Sequence, residues 1–338
     1  MAATIHDVAR VAGVSISTVS YALSGKRPIG EKTRRRVEAA IAELGYTPNA
    51  GARALAGRRT YVLAVTEPVR PDTYTPAHMA FVLATANAAR AYDYDVLLLT
   101  QDESLGGLQR VATSRIVDGI IVLDVNAQDD RAELVRSLGV PATLVGIPDD
   151  TAGLSCVDLD FAAAAELAVD RLADAGHEVI GLLGHPESVY ERGSNFTLRF
   201  RDAFLEHAAR RGLQARFAMP ERTIASVRSA TEELIGPDRD LTGLVMHGED
   251  TVQMRALDVL REQGLDVPGD VSVISAGSTF DTSTFTPPLD TIPLIAEQTC
   301  SRAVELTIAQ ITGDGERRVE LFAPTYVGRG STAPPRRS

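Results

Sequence analysis

Side chains that carry a hydroxyl group crowd a short stretch near the start of the chain. They are Ser15, Ser17, Thr18, Ser20 and Tyr21. No aspartate or glutamate, whose carboxylate would repel a polyanion, lies between residues 8 and 30. Hydroxyl groups donate to phosphate oxygens and reach the edges of bases. This stretch therefore predicts contact with a nucleic acid.

The charge balance changes along the chain. Residues 1–60 hold ten Lys and Arg against four Asp and Glu, whereas residues 61–338 hold 24 against 41. The net charge of −11 at pH 7 therefore hides a cationic beginning. Counterions are released only where basic groups meet phosphates, so the local charge decides the partner. The first 60 residues are predicted to meet a polyanion, and the rest a different partner.

The hydroxyl-rich stretch needs helices to position it, and capping residues for two of them are present. Thr4 can accept from the amide three residues on while Asp7 reaches back, which predicts a helix from there to Gly13. The expected inner face of that helix comprises Ile5, Val8 and Val11. Ser15 is a good N-cap for a second helix, which is expected to end near residues 24–25.

A third helix is predicted over residues 31–44. Its apolar stripe comprises Val37, Ala40, Ile41 and Leu44. The cations expected outside this stripe are Lys32, Arg34, Arg35 and Arg36. Ala9, Gly13 and Val19 favour a helix-turn-helix, with a plain three-helix bundle as the alternative. Next to such a motif, the cations favour phosphate contact over a merely solvated face.

The usual signatures of catalysis and of metal binding are missing from the sequence. The histidines are His6, His78, His177, His185, His207 and His247, and they show no HExxH or other paired spacing. There is no GxSxG elbow, no P-loop and no GxGxxG after a strand. We therefore expect no enzyme activity, no metal site and no cofactor.

The cysteine count and the first residues bear on the compartment. Cys156 and Cys300 cannot form a disulfide framework, which fits a reducing cytoplasm. The first residues lack a basic segment followed by an apolar one, and no run approaches about 18 apolar residues. We expect a cytoplasmic protein with neither secretion nor a membrane span.

After Thr60, short apolar runs alternate with amphipathic stretches. The runs read YVLAV, DVLLLT, DGIIVL, PATLVGI, SCVDLD, EVIGLLG, TGLVMHG and DVSVISAG. Unbroken runs of this kind are typical of strands buried on both faces, and hence of parallel sheets with crossover helices. Helices are predicted over residues 79–92, 161–175, 198–212, 227–235, 252–263 and 294–312. This much chain exceeds one sheet, so we expect an α/β body of two doubly wound parallel sheets with a cleft between them.

Several longer stretches follow a known pattern. The first two read TIHDVARVAGVSISTVSYALSG and EKTRRRVEAAIAELGYTPNAGARALAG. Three more, in the body, read LADAGHEVIGLLG, PGDVSVISAGSTFDTSTFTPPLDTI and LFAPTYVGRGST. Through these stretches almost the whole chain resembles the lactose-repressor (LacI/GalR) family of bacterial transcription regulators. The resemblance implies an all-α helix-turn-helix head and a two-lobed α/β body like a periplasmic binding protein.

The resemblance also implies a division of the chain. The expected parts are a DNA-binding head (1–47), a hinge helix or linker (48–60), an effector-binding and dimerisation body (61–332) and a disordered tail (333–338). Within the body, the expected N-subdomain takes residues 61–160 plus 291–317, and the C-subdomain takes 161–290 plus 318–332.

In that family the second helix enters the major groove of DNA. The resemblance therefore implies base readout by Ile16, Ser17 and Tyr21. The full set of implied DNA contacts is Thr4, Ser15, Ile16, Ser17, Thr18, Ser20, Tyr21, Thr33, Asn49, Ala52, Arg53, Leu55, Ala56 and Arg58. Relatives often carry longer polar or basic side chains at the positions of Ser17 and Tyr21, so fewer bidentate contacts to guanine or adenine are expected here.

The hinge segment NAGARALAG starts at Asn49. Isolated helices shorter than about 12 residues are marginal in water, and Gly51 in its middle costs about 1 kcal/mol relative to Ala. We expect this segment to be disordered off DNA and helical on it, with Leu55 inserted as an apolar wedge into a base step of the minor groove. A plain flexible linker is the alternative.

Ligands in open α/β sheets bind outside the carboxyl ends of the strands. The effector-binding candidates are Glu67, Tyr74, Asp124, Arg199, Glu249 and Phe280, with Arg201 as the alternative to Arg199. Weaker candidates, which could equally be solvated loop residues, are Arg70, Asn126, His185, Glu187, Asp250, Ser278 and Phe285.

Two departures from the family pattern fall at this candidate site. The family usually has an aspartate where this chain has Gly277, and an Asn-Asp pair where it has His247, Gly248 and Glu249. Glu249 is expected to supply the missing carboxylate, and a carbohydrate is the expected effector.

These observations together predict a ligand-responsive repressor that binds a near-palindromic operator on double-stranded DNA as a homodimer. The same movement of the lobes can serve an inducer, which lowers the affinity for DNA, or a corepressor, which raises it, and the sequence does not distinguish the two. No heptad repeat follows Arg329, which favours a dimer over a tetramer. A two-lobed solute-binding protein, which would leave the head unused, and a sugar-processing enzyme, which lacks catalytic groups, are the alternatives.

Overall fold

The computed structural model describes residues 3–24, 29–46, 59–70, 73–100 and 104–336. These residues form two compact units, and the division falls after Thr60. The first unit, the head, is helical, and the second, the body, is an α/β structure.

The described residues of the head form three helices, α1 (Ile5–Ala12), α2 (Ile16–Ser24) and α3 (Glu31–Leu44). The predicted capping box at the start of α1 is confirmed, because the Asp7 amide donates to the Thr4 hydroxyl while the Asp7 carboxylate accepts from the Thr4 amide at 3.0 Å. Gly13 ends α1 in the left-handed conformation, with φ of 61°, as predicted.

The core of the head joins all three helices. Its buried members are Val8, Ala9, Ala12, Val19, Val37 and Ala40. The expectation that Val11 lies on the inner face was wrong, because its side chain is 39% exposed. At 100° per residue, Ala9 and Ala12 share a face with Ile5 and Val8, whereas Val11 is turned away from it.

Where the structure describes the body, it forms eleven parallel strands in two sheets. In chain order they are β1 (Val62–Thr66), β2 (Asp95–Leu99), β3 (Gly119–Val122), β4 (Ala142–Val145), β5 (Cys156–Leu159), β6 (Val179–Leu183), β7 (Gln214–Ala218), β8 (Gly243–Met246), β9 (Ser272–Ser278), β10 (Asp290–Pro293) and β11 (Val319–Phe322). The strand order is β11-β5-β4-β3-β1-β2 in one sheet and β10-β9-β8-β6-β7 in the other. We call the halves built on these sheets the first lobe and the second lobe.

Helices cover both sheets. They are α4 (Thr75–Arg90), α5 (Ser104–Thr113), α6 (Asp130–Leu138), α7 (Phe161–Ala175), α8 (Glu187–Glu191), α9 (Asn195–Arg210), α10 (Ile224–Ile235), α11 (Asp250–Glu262) and α12 (Ala296–Thr312). The six helices predicted in the body are confirmed within a few residues. Two of the elements that the sequence analysis missed are α6 and β7, which are short and carry charged residues among their apolar ones, so neither reads as an unbroken apolar run.

The predicted subdomain boundaries near the C-terminus need correction. Strand β11 was assigned to the C-subdomain but pairs with β5 in the first lobe. Conversely, residues 291–293 were assigned to the N-subdomain but belong to β10, which pairs with β9 in the second lobe. The chain therefore crosses between the lobes after β5, after β10 and again after β11. Three crossings explain why the assignment could not follow one continuous cut.

The segment after β11 returns to the second lobe and is fixed by Asp290. This buried carboxylate accepts from the amides of Arg329, Gly330 and Ser331 and from the hydroxyls of Tyr326 and Thr332. The predicted disordered tail was wrong for its described part, because the Ala333 amide donates to the Ser272 hydroxyl at 2.9 Å and Arg336 pairs with Asp270 at 3.0 Å.

Candidate functional site

Helix α2 follows α1 after a turn of three residues, Gly13 to Ser15. The Ser15 hydroxyl accepts from the Thr18 amide at 3.1 Å and so caps α2, as the sequence predicted. It also bonds the hydroxyls of Ser17 and Thr18, each at 2.8 Å. Ile16 remains 41% exposed beside these groups. The start of α2 thus presents hydroxyls and one apolar side chain outward.

The implied DNA contacts fall into three groups. Thr4, Ser15, Ile16 and Ser17 are exposed. The residues Thr18, Ser20, Tyr21 and Thr33 are half-buried, because α2 and α3 pack on the rest of the head. The hydroxyl-rich stretch was expected to be exposed throughout, and for Thr18, Ser20 and Tyr21 this expectation was wrong. The remaining residues, Asn49, Ala52, Arg53, Leu55, Ala56 and Arg58, lie outside the residues that the structure describes.

The cations of α3 differ in what they contact. Lys32 and Arg34 are exposed, and Arg35 forms an ion pair with Glu31 at 3.1 Å. Arg36 instead turns its guanidinium towards the end of α1, where it donates to the carbonyls of residues 12 and 13. All four cations are therefore exposed, but Arg36 differs from the others in that its guanidinium contacts backbone carbonyls of another helix.

In the body, a cavity of about 150 Å³ lies between the two lobes. Its walls come from the carboxyl ends of strands in both sheets, where ligands of open α/β sheets bind. Five of the six effector-binding candidates line it, namely Glu67, Tyr74, Asp124, Glu249 and Phe280. Arg199 lies behind the wall, where it pairs with the lining residue Asp158.

Two buried carboxylates of the first lobe face this cavity. Glu67 contacts His78 Nδ1 at 2.5 Å, and Asp124 contacts Arg70 Nη1 at 2.5 Å. Desolvation raises the pKa of Glu67. Burial alone would lower the pKa of His78, but the Glu67 carboxylate outweighs it and raises that pKa. The pairing of His78 with Glu67 could not be predicted from the sequence, because the separation of the two residues along the chain matches no known motif.

Arg131 fixes the backbone at Asp124 through hydrogen bonds. Its guanidinium is buried and donates to the carbonyls of Leu123 and Asp124, to the Thr66 hydroxyl and to Asp129. Asp124 itself has a φ of 50°, a left-handed conformation that costs energy in any residue with a side chain. The Arg131 hydrogen bonds stabilise this conformation and so place the carboxylate in the cavity.

Several polar side-chain contacts join the two lobes beside the cavity. Arg192 of the second lobe donates to Asp124 at 3.3 Å. Arg199 donates to Asp158, and the Tyr74 hydroxyl donates to Asp250 at the start of α11. Burial raises the pKa of Asp158 to about 6 in spite of the neighbouring guanidinium. These contacts hold the lobes together around the cavity.

Glu249 is not a free carboxylate. Arg222 donates to both of its oxygens from Nε at 2.7 Å. Arg255 donates to the Arg222 carbonyl and so supports the pair from behind. Glu249 lines the cavity wall, as expected for a residue that supplies a carboxylate there. The charge of this carboxylate is, however, already compensated by Arg222 within the second lobe.

An aromatic group closes one end of the cavity. Phe161, Phe196 and His185 line it. The His247 ring stacks on Phe200 with centroids 4.1 Å apart and meets the His185 ring edge-on at 5.0 Å. Burial lowers the pKa of His185 to about 3 and lowers the pKa of His247, so both imidazoles are neutral.

The two departures from the family pattern are one structural change. A Cβ atom at Gly277 would lie 3.0 Å from the His247 ring, tighter than most contacts of a Cβ atom, so the ring would have to shift by a few tenths of an ångström. Gly277 also has a φ of 65°, which favours glycine. The His247 ring therefore occupies the room that a side chain at 277 would need, and the carboxylate expected there is replaced by an imidazole.

The weaker candidates divide in the same way. His185 lines the cavity, whereas Arg70 and Asp250 act through Asp124 and Tyr74. Phe285 lies behind the lining residue Phe280, with the two rings stacked at 5.7 Å between centroids. The candidates that do not line the cavity and do not contact it through such a pair are Asn126, Glu187 and Ser278. Arg201, the alternative to Arg199, pairs with Asp202 on the surface at 2.7 Å. Arg192 and Arg222, which the sequence did not single out, contact the cavity carboxylates directly.

Glu67, His78 and Asp124 could in principle hold a metal ion, because one ligand atom of each lies within 4.8 Å of the others. However, Arg70 and Arg192 both contact Asp124, and they would repel a divalent cation. The group is better described as an ion-pair network. Among the described residues, no helix is long and apolar enough to cross a membrane.

Comparison with known proteins agrees with this architecture. The family model for bacterial regulatory proteins of the lacI family matches residues 4–49. A model for a periplasmic binding protein-like domain matches residues 169–332. The first match covers the capped helix pair of the head, and the second covers most of the second lobe.

Whole proteins are similar over nearly the full length. The HTH-type transcriptional regulator MalR of Streptomyces coelicolor is 32% identical, and the match covers 98% of this chain and 97% of the relative. The lac repressor dimer bound to operator and the anti-inducer ONPF has a TM-score of 0.83 at 25% identity, covering 98% of this chain and 100% of that one. The complex of the transcriptional regulator CelR with cellobiose has a TM-score of 0.66 at 25% identity, covering 97% and 99%.

Proposed function

We propose that this chain, which belongs to the LacI family of bacterial regulatory proteins, is a cytoplasmic repressor. Its affinity for a near-palindromic operator would depend on a neutral sugar bound between its lobes. As a member of this family it is a DNA-binding transcriptional regulator and not an enzyme.

The head supports the DNA-binding half of this proposal. Its second helix presents Ser15, Ile16 and Ser17 at the surface, next to the exposed cations Lys32 and Arg34. Hydroxyls and an apolar side chain suit base edges and methyl groups in the major groove, while the cations suit phosphates. A hinge that carries Leu55 would add a wedge in the minor groove.

The cavity carries the effector half of the proposal, through one observation. Each carboxylate that lines it already has a partner within the protein, as in the pairs Asp124–Arg192, Asp158–Arg199 and Glu249–Arg222. A cavity with compensated charges offers fixed donors and acceptors without a net charge for an ionic ligand. Phe196 and Phe280 add flat apolar surface. Hydroxyl-rich edges and apolar faces together describe a sugar, and CelR and the lac repressor were solved with cellobiose and a sugar analogue.

A homodimer follows from the geometry of an operator with two half-sites. The body offers apolar surface for it. Leu83 on α4 is 63% exposed, Ile224 on α10 is 65% exposed and Met254 on α11 is 46% exposed. Exposed apolar residues mark a surface for a partner where they join into one patch, and the proposed dimer would bury them in this way.

A thermal-shift screen on the full chain tests the effector. Neutral mono- and disaccharides are compared with sugar phosphates and with nucleobases, each at the same concentration. A sugar that binds with its Kd a hundredfold below its concentration stabilises the body by about 2.7 kcal/mol, which raises the melting temperature by a few degrees. The Phe196→Ala variant should lose that shift, while Arg201→Met, outside the cavity, should keep it. A shift with nucleobases or sugar phosphates and none with neutral sugars would contradict the proposal.

A further inference from the structure

We infer that Arg36 is a positioning residue, which fixes the recognition helix α2 from α3 through the turn, and is not a phosphate ligand like its neighbours in the run of cations. The inference rests on DNA binding by the head, but its main readout does not require DNA.

The contacts of Arg36 lie at the end of α1. Its Nη2 donates to the Ala12 carbonyl at 2.5 Å and to the Gly13 carbonyl at 3.1 Å. The preceding carbonyls, of Ala9 and Arg10, already accept from the amides of Val14 and Gly13. The last carbonyls of a helix lack partners within it and carry its negative dipole end, so a cation suits them. Arg36 thus completes the end of α1 from a distance of 24 residues in the chain.

Because the turn between α1 and α2 is short, the cap formed by Arg36 also affects the direction of α2. Only Gly13, Val14 and Ser15 separate the last residue of α1 from the first residue of α2. When the carbonyls of Ala12 and Gly13 are fixed, little freedom remains in the direction in which α2 leaves. Val37, next to Arg36 in α3, is fully buried in the core of the head. The cap is therefore anchored to the core, and it ties the direction of α2 to α3.

The glycine of the turn has a second reason for its place. A Cβ atom at Gly13 would lie 2.7 Å from Arg36 Nη2. The left-handed φ of 61° alone would also admit asparagine, whereas any side chain at this position would push the Arg36 guanidinium away from the two carbonyls. Gly13 and Arg36 therefore act as one unit, which predicts that changes at the two positions are not additive.

Amide hydrogen exchange on full-length protein without DNA is the first test. Arg36→Met should speed exchange at residues 13–18, and Arg36→Lys should restore part of the protection. Arg34→Met removes a charge from the same helix and should leave exchange unchanged. Gly13→Asn should speed exchange like Arg36→Met, and the double variant should add little to either one. Unchanged exchange in Arg36→Met, or fully additive effects, would overturn the inference.

DNA binding supplies the second test, with a dyad-symmetric duplex selected from a random pool by the full-length protein. Arg36→Met should weaken binding roughly five- to tenfold, the loss expected for one or two hydrogen bonds. Its plot of log K against log salt should keep the slope of the parent protein, whereas Arg34→Met, which removes one phosphate contact from each of the two heads, should reduce the slope by about 1.8. A slope reduced equally in Arg36→Met, with unchanged exchange, would make Arg36 a phosphate ligand and overturn the inference. Failure to select any duplex would count against DNA binding itself, and the exchange data would still decide the role of Arg36.

Discussion

Arg199→Met is expected to destabilise the body far more than the neighbouring change Arg201→Met. Both arginines lie on α9 and both fitted the sequence pattern of an effector contact. The structure gives them different partners, because Arg199 pairs with Asp158 in the cavity wall and Arg201 pairs with Asp202 on the surface. The side chain of Asp158 is 7% exposed and that of Asp202 is 62% exposed.

The size of the effect follows from these exposures. Removing one partner of a buried ion pair costs about 3–5 kcal/mol, because the other charge is left without compensation. The Arg199 side chain is 22% exposed, so water can replace part of what is lost, and we expect about 2–3 kcal/mol. Arg201→Met should cost less than about 1 kcal/mol, the range of exposed pairs.

The cost should also depend on pH. The pKa of Asp158 is raised to about 6 in the folded protein, above its unfolded value, so the folded state binds the proton more tightly. The ionised carboxyl therefore costs stability as the pH rises through about 6. Without Arg199 that cost grows, and the deficit of Arg199→Met should be larger at pH 8 than at pH 5.

Urea denaturation of both variants at pH 5 and pH 8, followed by near-UV circular dichroism, measures these differences. The variant Asp158→Asn should lose less at pH 8 than Arg199→Met, because the charge it leaves unpaired, on Arg199, is 22% exposed, whereas Arg199→Met leaves the more deeply buried carboxylate of Asp158. Equal losses for Arg199→Met and Arg201→Met, or a larger deficit at pH 5, would refute the reasoning.

Three further outcomes are expected. Asp290→Asn should cost about 3 kcal/mol in urea denaturation, because at least two charge-assisted hydrogen bonds are lost. The pKa of Asp290 lies below its usual value, so its contribution is present above the unfolded pKa and disappears as the pH falls through the lowered one. The variant should show a weaker acid dependence, and a loss under about 1 kcal/mol would contradict this. Leu55→Ala should weaken operator binding in a gel-shift titration at least about fivefold by removing the proposed wedge, and unchanged affinity would remove that role. Leu83→Asp should convert a dimer to a monomer in sedimentation, whereas a tetramer of the parent protein at physiological salt would be inconsistent with the proposed assembly.

Much of the fold could be predicted because burial left a clear pattern in the sequence. Strands such as β3 and β8 are buried on both faces and therefore read as unbroken apolar runs. The strand β7 alternates Gln and Arg with apolar residues at the edge of its sheet, and it was missed. The lobe of β11 could not be predicted, because pairing with β5 joins residues far apart in the chain.

The candidate site was predictable by position and not by pairing. Glu67, Asp124 and Glu249 were found because each follows a strand of a parallel sheet, and such ends meet at one edge. Their partners Arg192 and Arg222 lie in other elements, where no local pattern marks an arginine as a counter-ion. Arg36 shows the same limit in the head, because within a run of cations only the fold distinguishes the one that caps a helix.

The central claim is that a small cationic head binds DNA with dyad symmetry under the control of a body that senses a sugar. Fluorescence anisotropy with the full-length protein and the selected dyad-symmetric duplex, titrated at several salt concentrations with and without the sugar found by thermal shift, tests it most directly. We expect DNA binding that weakens steeply with salt and prefers the symmetric duplex over a scrambled one. We expect the sugar to change the affinity for the symmetric duplex at least about tenfold, which is a coupling free energy of about 1.4 kcal/mol. Equal binding to both duplexes, with no response to the sugar, would contradict it.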